Sequence, residues 1–239
     1  MSGTAFFNRL AAAASRRYDP ADAFARHFAR GKLLGDPVFR HLLESGLLPP
    51  GGAILDLGSG QGVLESLLLA AREAGVHGEW PAEWPPPPSP RAMRGIDLVE
   101  RDVKRARHAC EGHAQFIVGD ICDTDFGRAD AVVVLDVLHY IDFDEQRDVL
   151  ERVKKALHEG GVLLLRVAQA SGGWRYRYTA AVDRIVMALR GHRLPRLWNR
   201  PLAEWLQMLE ALGFSVEVRP MSQGTLFANA LVVARYHPK

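Results

Sequence analysis

Cysteine is scarce: Cys110 and Cys122 are the only two in 239 residues. Two thiols supply neither a paired-cysteine metal framework nor a disulfide-stapled secreted scaffold. Long apolar runs are also missing. None approaches the ~18–20 residues that cross a bilayer as a helix, so no membrane association is expected. The short apolar stretch Ala11 to Ala14 is bracketed by Arg9, Arg16 and Arg17. That leaves no h-region for an export signal, and the expected location is cytoplasmic. The first 18 residues carry arginine and no acid. A transit peptide shares that pattern, but the apolar spacing suits an amphipathic surface helix better.

An excess of one charge is lacking as well. Thirty basic residues face 28 acidic ones, a net charge of +2, which does not suit a dedicated nucleic-acid binder. The local distribution is less even. Between Arg175 and Arg200 lie seven arginines (175, 177, 184, 190, 193, 196, 200) against one acid, Asp183. Such a run is either a solvated helical face or a docking patch for an acidic partner. At 48% hydrophobic and 24% charged, the chain has the composition of an ordinary globular α/β domain.

Helical signals come first. Residues 4–16 place Phe6, Phe7, Leu10 and Ala14 near helical spacing, Asp19-Pro20 reads as an N-cap and first-turn pair, and Asp36-Pro37 opens a third segment. From Ala53 the pattern changes to short apolar runs alternating with helical stretches. Strands are expected at Ala53 to Leu57, Gly95 to Leu98, Gln115 to Val118, Ala131 to Leu135, Val162 to Val167, Ser215 to Val218 and Leu226 to Ala234. Helices are expected at Val63 to Glu73, Val103 to Cys110, Phe143 to Leu157, Ala180 to Leu189 and Leu202 to Leu212. This alternation predicts a mostly parallel sheet with helices on both faces and a ligand at its carboxyl edge. Six prolines fall in residues 81–90. They bar helix and inner strand, and the stretch reads as an exposed polyproline-like insertion.

The chemistry is carried by Asp56-Leu57-Gly58-Ser59-Gly60-Gln61-Gly62, where the first strand passes into a helix. Glycines there let the chain turn tightly and admit a ligand to the backbone. The spacing is G-x-G-x-G, with Val63 where a dinucleotide fingerprint needs a third small residue. Asp56 also counts against a dinucleotide. A carboxylate about 4 Å from a pyrophosphate opposes it by roughly 4 kcal/mol at intermediate dielectric. S-adenosylmethionine has no phosphate, and its ammonium and sulfonium groups are cationic. A second acid is expected about 20 residues beyond the glycines, on the ribose hydroxyls. Asp97 lies 35 positions after Gly62, and removing the insertion 77–90 restores a spacing of 21.

The order Ile54-Leu55-Asp56-Leu57-Gly58-Ser59-Gly60-Gln61-Gly62, Gly95-Ile96-Asp97, Val118-Gly119-Asp120-Ile121, Asp136-Val137-Leu138-His139-Tyr140, and Gly160-Gly161 before a strand resembles the class I S-adenosylmethionine-dependent methyltransferases of the small-molecule type. The resemblance covers roughly residues 50–168. It implies a Rossmann-like seven-stranded sheet with an antiparallel last strand. It also implies that Asp56 and Gly58, Ser59, Gly60 and Gly62 surround the methionyl end of the cofactor, while Asp97 with Leu98 meets the ribose. Asp120 would accept from the adenine amino group, Ile121 would supply a backbone donor and an apolar wall, and Asp136 would meet the methionyl ammonium through its backbone.

His139, just past the fourth strand, is the candidate general base, since an imidazole titrates near neutral pH. Tyr140 and Tyr18 are candidate lining residues. Residues 1–50 are expected to form a helical lid on the domain 51–239, with Arg30 or Lys32 reaching the cofactor carboxylate. Residues 172–200, with Trp174, Tyr176, Tyr178 and Trp198, are expected to wall a substrate pocket. A small-molecule acceptor is expected, aromatic or carried on an acidic carrier protein. Nucleic acid is disfavoured, because neither an Asn-Pro-Pro-Tyr-like element nor a Pro-Cys nucleophile is present. The alternatives are an RNA or protein methyltransferase, or a cofactor-binding protein that no longer transfers methyl. No metal site is expected.

Overall fold

The computed structural model describes residues 3–19, 22–168, 197–221 and 229–237. Three helices come first: α1 (Gly3–Arg16), α2 (Ala23–Gly35) and α3 (Pro37–Glu44). There follow β1 (Ala53–Leu57), α4 (Val63–Val76), β2 (Ala92–Asp97), α5 (Glu100–Ala109), β3 (Gln115–Val118) and β4 (Ala129–Leu135). After a single 3-10 turn, Leu138–Tyr140, come α6 (Phe143–Ala156), β5 (Leu157–Ala168), α7 (Leu202–Ala211), β6 (Phe214–Pro220) and β7 (Asn229–Tyr236).

The strands form one sheet in the order β3-β2-β1-β4-β5-β7-β6. The first five are parallel, and β7 runs antiparallel to both β5 and β6. This is the α/β Rossmann-like architecture expected. Alternate residues of β1 show why both faces are covered. Ile54 joins the core under α1 to α5, whereas Leu55 and Leu57 join the core under α6 and α7. The chain order reverses between β1 and β4, which puts the crevice of such a sheet at their carboxyl ends.

Three local expectations change. Asp19 is not the cap of α2: Asp22 is, its carboxylate accepting the Ala25 N–H at 3.1 Å. The Asp36-Pro37 start of α3 stands as expected. β5 begins at Leu157, ahead of Gly160-Gly161, because Leu157 already pairs with Ala129 and Gly160 absorbs the irregularity at φ +74. The proline stretch is only partly exposed. Pro88 and Pro90 are buried, Trp80 Nε1 donates to the Pro85 carbonyl at 2.7 Å, and Phe6, Trp80 and Trp84 meet edge to face with centroids 5.4–5.5 Å apart. Gly75 of α4 leaves room for Pro87. The insertion is therefore a packed strap between α1 and α4. The expected helix Ala180 to Leu189 and the aromatic residues Trp174, Tyr176 and Tyr178 lie outside the described residues.

The first three helices share one core with α4 and α5. From Asp22, bonded to Arg105 of α5, α2 passes Ala25, whose carbonyl accepts from Gln61 of the glycine turn at 2.7 Å. Its last turn carries Lys32, 3.9 Å from Asp136 beyond β4. α2 thus runs across the carboxyl edge of β2, β1 and β4.

Candidate functional site

The turn after β1 needs its glycines. Gly58, Gly60 and Gly62 all have positive φ (+77, +54 and +75), a region costing other residues about 1–2 kcal/mol each. At Gly58 a Cβ would also run into Val137, whereas at Gly60 it would meet open space. One glycine lets two loops close on each other; the other leaves its backbone accessible. Gly58 and Ser59 N–H groups bond the Ile96 carbonyl of β2 at 2.8 and 3.2 Å. The Asp97 carboxylate accepts from Gly60 N at 2.8 Å and from Val99 N at 2.8 Å. Asp97 is thereby held against the glycine turn, and its backbone carbonyl accepts from Gly119 N at 3.0 Å. The ends of β1, β2 and β3 become one surface.

Asp120 and Ile121 extend that surface. Asp120 Oδ1 accepts from Cys122 N at 2.8 Å, and Ile121 is buried against the second core. Arg152 of α6 holds this turn, donating to the carbonyls of Ile121 at 2.6 Å, Cys122 at 2.5 Å and Thr124, with its guanidinium 4.2 Å above the Phe126 ring. No motif announced Arg152. At the other end Asp136 is the one non-glycine residue with positive φ (+59) among the described residues. Its carboxylate is gripped by Arg166 of β5. His139 sits on the 3-10 turn, with its ring 4.1 Å from that of Tyr140. Burial lowers its pKa, Asp136 opposes the shift, and Arg166 adds to it. The turn is braced by Gln146, whose Nε2 donates to the carbonyls of Leu138, Ile141 and Trp198 at 3.0, 3.1 and 2.8 Å.

The family model for a methyltransferase domain matches residues 25–218. The chain belongs to that family. A stretch of 120 residues is 33% identical to a carboxy-S-adenosyl-L-methionine synthase of Chromohalobacter salexigens, covering 48% of this chain and 39% of that one. Among solved structures, an O-methyltransferase family protein from Burkholderia thailandensis superposes with a TM-score of 0.62 at 18% identity, over 93% of this chain and 62% of that one. Magnesium protoporphyrin IX methyltransferase from Synechocystis, with S-adenosylhomocysteine bound, gives 0.59 at 20% identity over 97% of both chains. An O-methyltransferase from neocarzinostatin biosynthesis, in complex with S-adenosylmethionine and 2-hydroxy-5-methyl naphthoic acid, gives 0.57 at 22% identity. The chain spans less than two thirds of the synthase and of the Burkholderia protein. The family is that of the methyltransferase domain and the fold is the one these solved methyltransferases share, two of which hold S-adenosylhomocysteine or S-adenosylmethionine.

The methyltransferase's residues fit that group. The glycine turn leaves open space at Gly60, with the Asp97 carboxylate beside it. Leu98 is 61% exposed at the same rim. The charge on Asp56 needs correction, however. Asp56 is only 5% exposed. Burial, then Glu65, then Asp97 push its pKa well above the ordinary carboxylate range. Glu65, the third residue of α4, is 1% exposed, and neither of its oxygens reaches a hydrogen-bond partner outside its own residue. Three acids therefore converge behind the turn, with Asp56 held toward its neutral form. The charge discrimination expected of Asp56 therefore does not rest on that residue.

Tyr18 is buried, and its hydroxyl donates to the Gln61 carbonyl at 2.8 Å, so it is a strut behind the turn. Lys32 lies 3.0 Å from Asp36 and 3.9 Å from Asp136, at the expected methionyl end; Arg30 is exposed on α2. A cavity of about 450 Å³ lies between α2 and α5, lined by Tyr18, Asp22, Ala25, Arg101, Lys104 and Arg105 among others. It contains none of the expected cofactor residues, and the Arg105–Asp22 ion pair lies in its wall. No group of metal-ligating side chains occurs among the described residues. No helix among them is long and apolar enough to cross a membrane.

Proposed function

We propose that the protein transfers the methyl group of S-adenosylmethionine to a small-molecule acceptor by in-line displacement. The carrying observation is the joint placement of the glycine turn, Asp97, Asp120 and Asp136 along one sheet edge, with the ends of β1, β2 and β3 tied together through Gly60–Asp97 and Gly119–Asp97. In this reading Asp56, Gly58, Ser59, Gly60 and Gly62 hold the methionyl end with Asp136, Asp97 and Leu98 hold the ribose, and Asp120 and Ile121 hold the adenine. A sulfonium methyl is already electrophilic, so the chain's own work is positioning, worth on the order of 7–11 kcal/mol.

His139 takes the acceptor's proton in this proposal. Burial keeps its imidazole neutral near pH 7, the form that accepts a proton. The cavity beside it is about 10 Å³, bounded by Arg166, Asn199, Arg200 and Trp205. That holds no more than about one water. The naphthoic acid bound by the neocarzinostatin-pathway enzyme supports an aromatic acceptor. A carrier-borne acceptor rests only on the arginines between 175 and 200, of which Arg200 alone lies in the described part, bonded to Gln146 at 2.7 Å.

Calorimetric titration with S-adenosylhomocysteine and with NAD tests the donor. Tight binding of the first and none of the second is expected; the reverse would sink the reading. Methyl transfer from labelled donor to a panel of hydroxylated aromatic acids, free and carrier-bound, then tests the acceptor.

A further inference from the structure

Arg166 is an odd residue for its place. It lies inside the apolar strand β5 between Leu165 and Val167, and its side chain is 1% exposed. Its guanidinium is fully engaged on acids from two distant parts of the chain. Nε donates to Asp136 Oδ1 at 2.8 Å, one Nη to Asp136 Oδ2, and the other Nη to Asp36 Oδ1 at 2.5 Å. Lys32 completes the set, 3.0 Å from Asp36, so two bases balance two acids. Burial pushes the Asp36 carboxyl up, but Arg166 and Lys32 outweigh it and hold it at about 2. The acid gripped at both oxygens is also the residue in the left-handed region. An aspartate persists there only when its surroundings over-determine it, and a planar two-bond fork does so better than a point charge. The next residue, Val137, is the one whose side chain closes on Gly58.

We infer that Arg166 is a positioning residue for the donor site: its fork holds Asp136 in the left-handed turn that seats Val137 on Gly58, and ties that turn to Asp36 at the start of α3. The inference rests on the proposed placement of Asp136 at the methionyl end. It separates a backbone role for Asp136, enforced by Arg166, from a merely stabilising ion pair.

The test is a rescue read by calorimetric affinity for S-adenosylhomocysteine beside thermal melting. Arg166→Met is expected to weaken affinity by about thirtyfold or more, since the turn relaxes once its clamp is gone. In Arg166→Met/Asp136→Gly, glycine adopts the turn unaided, and Lys32 and Asp36 remain as a balanced pair. The double variant is expected to recover affinity to within about fivefold of the wild type. An Arg166→Met protein that binds as the wild type does overturns the inference. So does a double variant that binds no better than the single one, or that does not fold. If Arg166→Met itself does not fold, the double variant measured against the wild type decides. Should the wild-type protein bind no S-adenosylhomocysteine, the donor reading has failed and not the role of Arg166.

Discussion

Glu65→Gln probes the buried acids directly. Burial raises the Glu65 pKa from its ordinary 4.5 to about 7. The sign follows from proton counting. Between pH 4.5 and about 7 the unfolded chain has ionised Glu65 while the folded chain still holds its proton, so the folded state binds more protons and stability falls as pH rises. The contribution is undiminished below pH 4.5 and fully lost above about 7, where the ionised side chain costs on the order of 3 kcal/mol. Glutamine cannot ionise. Its amide inherits the same lack of partners as the protonated acid, so little changes at pH 4.5, and at pH 8 the variant should be the more stable by about 3 kcal/mol. For a chain of this length that is roughly 6–12 °C in melting temperature. Urea unfolding of both proteins at pH 5 and pH 8, without cofactor, measures it. Parallel stability–pH curves would show that Glu65 holds no proton at neutral pH and would refute the reasoning.

Other outcomes follow from the same geometry. Gly58→Ala should weaken S-adenosylhomocysteine binding at least about tenfold, because a left-handed alanine costs about 1–2 kcal/mol and its methyl meets Val137; unchanged affinity would mean the two loops can part freely. Asp97→Asn leaves one acceptor oxygen for the two N–H groups now bonded to the carboxylate, and an affinity loss of about tenfold is expected in calorimetry, as hydrogen bonds to charged groups contribute about 1.5–3 kcal/mol. His139→Ala should lower turnover by about a hundredfold with S-adenosylhomocysteine affinity little changed, and equal loss of both would reject the base. In the wild type the acid limb of the rate profile should fall below pH 6.5, in line with the lowered imidazole pKa. Trp84→Ala should destabilise by about 2 kcal/mol through lost ring packing against Phe6 and Trp80; a change under about 0.5 kcal/mol is what an exposed insertion would give.

What the chain made legible divides along one physical line. The strand β1, the helix Leu202–Ala211 and the glycine turn are local facts. A period of two or of 3.6, or a backbone that only glycine adopts, is written within a dozen residues. Partners are not local. Asp36 and Arg166 are 130 positions apart, and nothing in either neighbourhood names the other. The proline stretch failed for the same reason: its composition correctly excluded helix and strand, but its burial depends on Phe6, some 75 residues away, meeting Trp80 and Trp84. Yet the unread residues share a mark. Glu65 interrupts the apolar run Val63 to Leu69, Arg166 interrupts Val162 to Val167, and Gln146 occupies the apolar face that Val149, Leu150 and Val153 continue. A polar group in a core position costs free energy unless something compensates it. Arg166 and Gln146 find that compensation inside the chain, in two carboxylates and three carbonyls. Glu65 does not, and it stands behind the turn proposed to receive a cationic cofactor.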